Sequence, residues 1–83
     1  MARRAVVTVE FWSTGGEGSR YTVEVFDGED MVHSECGTMA EDRGGRMAER
    51  EGRAKARAQG CAKDDIEVSG PREVPDPRQP RRR

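Results

Sequence analysis

Apolar and polar residues alternate in part along the Val- and aromatic-rich Ala5–Trp12 (AVVTVEFW) and again along Arg20–Phe26 (RYTVEVF), the period-two pattern of half-buried strands. The segment between them, Ser13 to Ser19, contains three glycines and reads as a flexible loop. Asp27-Gly28-Glu29-Asp30 reads as a turn into a third, weaker strand, Met31–Cys36. Pairing Phe11 with Tyr21, Val9 with Val23 and Val7 with Val25 gathers these six residues on one core face, which Val32 and Cys36 of the third strand would join. A one-residue slip of the first two strands would bury Glu10 and Glu24.

Thr38-x-x-Glu41 matches a capping box and predicts a short turn over 38–43. Gly44-Gly45 then breaks the chain, so the main helix is expected over Arg46–Gln59, ended by Gly60. Met47, Ala54 and Ala58 form its expected inward stripe, with Ala48, Gly52 and Ala56 close by. Asp64–Ser69 reads as a last strand, parallel to the first through a right-handed crossover. The fold class is therefore α+β: a β-β-β-α-β two-layer domain with sheet order 3-2-1-4 and one helix packed on one face. Residues 1–4 are assigned to an N-terminal arm and 5–69 to the domain. Residues 70–83, with four prolines and five arginines, are assigned to a disordered tail.

Composition narrows the picture. The chain has 83 residues, 37% of them charged and 33% hydrophobic, which makes one small domain. No apolar run approaches the roughly 18 residues of a membrane span, and no signal peptide is evident. A cytoplasmic location is expected, with Cys36 and Cys61 as free thiols. Residues 5–42 set nine carboxylates against the single Arg20, whereas 43–63 set seven basic side chains against two acidic ones. Arginine outnumbers lysine 13 to 2, which GC-rich codon usage explains as readily as phosphate recognition.

The run YTVEVFDGEDMVHSE followed by an Ala/Arg/Glu-rich helix resembles uncharacterised small proteins of actinobacteria and their phages. The resemblance spans roughly residues 5–69, has no diagnostic motif and implies no activity. In outline the chain is also similar to sheet-plus-helix DNA readers, such as AP2-like and integrase arm-binding domains. Those use a basic exposed sheet; here that face would carry Glu10, Glu24 and Glu35, the charge of a nucleic-acid mimic.

Candidate chemistry lies on two surfaces. The outer sheet face would carry Val6, Phe26 and Met31 as an uncovered apolar cluster, Trp12 stacked on Arg20, and His33 opposite Glu24. Val6, Trp12, Arg20, Phe26, Met31 and His33 are the expected contacts to a protein partner or a second copy of the chain. Arg43, Arg46, Arg50, Arg53, Lys55 and Arg57 are the alternative, contacts to nucleic acid aided by the arginines of the tail. No nucleophile–base–orienter set is present, and Gly15-Gly16-x-Gly18 lacks the lysine and helix of a phosphate loop. A metal site from His33, Cys36 and Cys61 fails because residues 33 and 36 point to opposite faces of a regular strand. The expectation is a non-enzymatic interaction or regulatory module without cofactor or metal, with no membrane partner.

Overall fold

The structure, a computed structural model, describes residues 3–13 and 17–77. Its elements in chain order are β1 (Arg3–Trp12), β2 (Gly18–Asp27), β3 (Asp30–Met39), a 3-10 turn (Arg43–Gly45), α1 (Arg46–Ala58) and β4 (Cys61–Glu73). The sheet order is β3-β2-β1-β4, with β4 parallel to β1 and the other neighbours antiparallel. This is the expected β-β-β-α-β α+β fold. Alternation decides its core: Ala5, Val7, Val9, Tyr21, Val23 and Val25 are buried under Ala48 and Ala56 of the helix, with Ile66 and Val68 packed against them.

The register differs from the expected one by two residues between β1 and β2. Val7 pairs with Val23, Val9 with Tyr21 and Ala5 with Val25, while Phe11 meets Ser19. A two-residue slip leaves every side chain on its original face, so the hydrophobic pattern does not distinguish the two. The consequence lies at the strand end, where Trp12 faces Gly18 instead of Arg20, and its ring lies against the glycine backbone.

Strand β3 departs further. Phe26 pairs with Met31 as expected, but the ladder shifts between Phe26 and Val25, so Val25 pairs with His33 and Tyr21 with Gly37. This bulge inserts Val32 as the extra residue and inverts the faces of the residues after it. His33, Glu35, Gly37 and Met39 share the helix side, whereas Cys36 is exposed and shares the outer side with Thr22. The expectations of a core Cys36 and an outward His33 opposite Glu24 are therefore overturned. Tyr21 occupies the space over Gly37, where a Cβ would come 2.6 Å from the phenolic oxygen.

The helix begins as expected but is capped differently. Thr38 belongs to β3, so no Thr38–Glu41 capping box forms. Instead Asp42 accepts the Met47 N–H on Oδ1 at 2.9 Å and the Ala48 N–H on Oδ2 at 2.8 Å. Gly44 and Gly45, with φ of +75° and +78°, turn the chain between the carboxylate and the helix it caps. Ser19 donates its hydroxyl to Asp42 Oδ2 at 2.6 Å, tying the cap to β2. Burial pushes the Asp42 carboxyl up, but the bonds from Ser19, Met47 and Ala48 outweigh it and hold it below the ordinary value.

The inward stripe is Ala48, Gly52 and Ala56; Met47, Ala54 and Ala58 face outward, with Met47 exposed. A Cβ on Gly52 would stand 2.5 Å from Val7 Cγ1, so the helix seats where only glycine fits. The last strand extends beyond Ser69 to Glu73, and Val74 N–H donates to the Phe11 carbonyl at 2.8 Å. Residues 70–73, assigned to a disordered tail, are thus sheet, and Asp76 is buried. Likewise Arg3 and Arg4, assigned to an arm, begin β1. The remainder of the tail assignment, 78–83, lies outside the described residues.

Candidate functional site

Alternation along four paired strands lays the outer face out in rows. At one end Met31, Phe26 and Arg4 lie side by side, with the Arg4 guanidinium 4.5 Å from the centre of the Phe26 ring. The next row is Ser34, Glu24, Val6 and Glu67. The middle row, Cys36, Thr22, Thr8 and Ser69, contains only small side chains. The fourth row is Thr38, Arg20, Glu10 and Arg72. Beyond it Trp12 faces Gly18.

The fourth row is an ion-pair chain. Arg20 Nε donates to Glu10 Oε1 at 3.0 Å, and its Nη2 meets the same oxygen; Arg72 Nη2 lies 3.8 Å from Glu10 Oε2. Glu24 and Glu67, two rows away on the same face, make no ion pair among the described residues. Arg4, Arg20 and Arg72 thus stand among Glu10, Glu24 and Glu67, and this face is not the acidic surface expected from the sequence. Glu35 lies on the helix side, where His33 Nε2 contacts its Oε2 at 2.8 Å.

Of the six residues expected to contact a protein, Val6, Arg20, Phe26 and Met31 do share the outer face, and Met31 is 53% exposed. Trp12 is on that face but only 1% exposed, so its ring is not an available anchor. Arg20 pairs with Glu10 rather than stacking on Trp12, and the cation–π contact is made by Arg4 on Phe26. His33 has left the face altogether. Sequence reasoning missed Arg4 and Arg72 by ending the flanking strands too early, and left Glu67 off the face although it lay within the expected last strand.

The basic candidates are arranged on the helix. Arg46, Arg50, Arg53 and Arg57 recur at spacings of four, three and four residues, which aligns them in one stripe. Arg53 Nε donates to Glu49 at 3.2 Å, and Arg43, before the helix, donates to Glu17 at 3.0 Å. Lys55 lies 3.8 Å from Glu51, off the stripe on the flank beside Tyr21. Burial raises the Tyr21 hydroxyl above its ordinary pKa, opposed by Lys55. Burial also raises the Cys61 thiol, with Arg3 opposing.

Among the described residues no group of three or more His, Cys, Asp and Glu side chains converges as a metal site would, and no helix is long and apolar enough to cross a membrane. Comparison with protein-family models, curated proteins and solved structures finds no match to this chain.

Proposed function

We propose that this chain is a non-enzymatic interaction module, acting in the cytoplasm, that binds protein through the open face of its sheet. One observation carries the reading. The helix packs on one face of a four-stranded sheet, and the other face presents a cluster of Phe26, Met31 and Val6 beside rows of charged and small polar side chains. Met31 at the sheet edge is 53% exposed, and Val32 at the bulge beside it is 47% exposed. Uncovered apolar clusters rimmed by polar groups mark protein contact sites. Installing a photo-crosslinking residue at Thr22 and, separately, at Arg50 on the helix tests the reading in cells. Protein adducts from Thr22 and not from Arg50 are the expected result; none from Thr22, or the same set from both, would overturn it.

A second reading rests on the arginine stripe of the helix. Three of its four guanidiniums, on Arg46, Arg50 and Arg57, make no ion pair among the described residues. Such a row suits a phosphate backbone, whose binding weakens steeply with salt. Binding to mixed-sequence duplex DNA at physiological salt, lost on changing Arg50, Arg53 and Arg57 to Gln, would favour this reading over the first.

A further inference from the structure

Taking the open face as a protein-binding surface, we infer that its partner is a second copy of this chain, bound face to face about a two-fold axis that runs across the strands along the Thr8–Thr22 row. The positions of the charges select this axis. A two-fold contact sets each row of one copy against the row equally far on the other side of the axis in its partner. With the axis on the middle row, Glu24 meets the partner's Arg20, Glu67 meets the partner's Arg72, and both pairs occur twice.

Other placements of the axis fail or gain less. Moved one row toward Val6, it sets Glu24 against the partner's Glu24 and Glu67 against the partner's Glu67. Moved one row the other way, it opposes Arg20 to the partner's Arg20. Run along the strands between β1 and β2, it would offer Arg20 to the partner's Glu10, a carboxylate that already holds Arg20 and Arg72 of its own copy. Of these axes the middle-row one supplies cations to Glu24 and Glu67, the two carboxylates in the four rows that make no ion pair among the described residues.

The middle row also permits approach. Cys36, Thr22, Thr8 and Ser69 are small, so no side chain of this row holds two sheets beyond the ~10 Å of face-to-face packing. The aligned packing angle of about 30° moves the flanking rows sideways by a few ångströms, within the reach of an arginine. Four strands about 4.8 Å apart, seven residues deep at about 3.3 Å each, give a footprint of roughly 400 Å² per copy. That is the small end of specific interfaces, where association is weak and reversible.

Charge exchange tests the arrangement. Glu24→Arg alone opposes like charges to the partner's Arg20, and Arg20→Glu alone opposes them to the partner's Glu24. Each variant by itself should self-associate at least about tenfold more weakly than wild type in sedimentation equilibrium. An equimolar mixture of the two should recover dimer, because both contacts are then oppositely charged. Recovery on mixing also shows that both variants are folded. If Arg20→Glu fails to fold once its bond to Glu10 is gone, Glu67→Arg with Arg72→Glu makes the same test at the exposed edge. Undiminished association of Glu24→Arg, or no recovery on mixing, overturns the arrangement. A wild-type chain that stays monomeric near millimolar concentration overturns the second copy as partner. In that case Thr22 adducts to a different protein would leave the face a binding surface, and the absence of any adduct would remove both readings.

Discussion

Replacing Gly52 by alanine adds a methyl group 2.5 Å from Val7 Cγ1, at a side chain with no solvent exposure. Carbon atoms rest about 3.5–4.0 Å apart, so the helix must lift by about 1 Å or Val7 must leave its rotamer. Overpacking of this kind costs about 1–3 kcal/mol, whereas the helix preference for alanine over glycine returns about 1 kcal/mol. The net expectation is a loss of up to about 2 kcal/mol, a drop in melting temperature of several degrees for a domain of this size. Thermal unfolding followed by circular dichroism reads it directly. Val7→Ala alone opens a cavity and also destabilises; in the double variant the new methyl group sits beside the vacated space. The double variant should therefore be more stable than the sum of the single losses by about 1 kcal/mol. A Gly52→Ala protein that melts higher than wild type would refute the close seating of the helix, because propensity would then be the dominant effect.

Asp42→Ala should cost about 1–3 kcal/mol, since it orphans two helix N–H groups and the Ser19 hydroxyl in a buried place. The native carboxyl titrates below its ordinary value, so its contribution is complete above the unfolded pKa of about 3.9 and is lost as pH falls through the lower folded value. Acid denaturation of wild type should accordingly show a steeper loss below about pH 4 than that of Asp42→Ala; parallel curves would argue against the cap. A thiol-specific disulfide reagent should label Cys36 at once and Cys61 only on unfolding, because one is exposed and the other is buried with its pKa raised. Equal labelling rates would contradict the bulge in β3. Val25→Asp should unfold the chain while Glu24→Val leaves the circular dichroism of the fold intact; the reverse would invert the two faces of the sheet.

The parts of the fold legible in the sequence are those that parity and chain direction control. Val7, Val9, Val23 and Val25 assign one face to the core whichever even register is chosen, and a helix between β3 and β4 carries the chain back beside β1. Register itself is invisible to that pattern, because a two-residue slip keeps Val7, Val9, Val23 and Val25 on the same face. The bulge at Val32 is hidden for a related reason: His33, Ser34, Glu35 and Cys36 offer no apolar contrast to show which side is in. Two stripes of small residues run along the helix, and periodicity alone does not choose between Ala48–Gly52–Ala56 and Met47–Ala54–Ala58. The structure turns Ala48, Gly52 and Ala56 inward, where Asp42, bonded to Ser19 23 positions away, also caps the helix at Ala48. Gly70-Pro71 reads as the end of a strand, yet the ladder resumes at Arg72 beside Glu10. That reading removed Arg72 from the face, and with it the opposite charge that Glu67 would meet.

The most direct test of the open face as the contact surface is the change in amide chemical shifts as the isotopically labelled chain is concentrated from tens of micromolar to about a millimolar. Shifts at Thr8, Arg20, Thr22, Glu24, Glu67 and Ser69 should grow with concentration and shrink when salt is added. Arg50, Ala54 and Arg57 on the exposed side of the helix should hold still. Shifts that gather on the helix would contradict a contact through the open face, and a spectrum that does not change across the range would contradict a second copy as its partner.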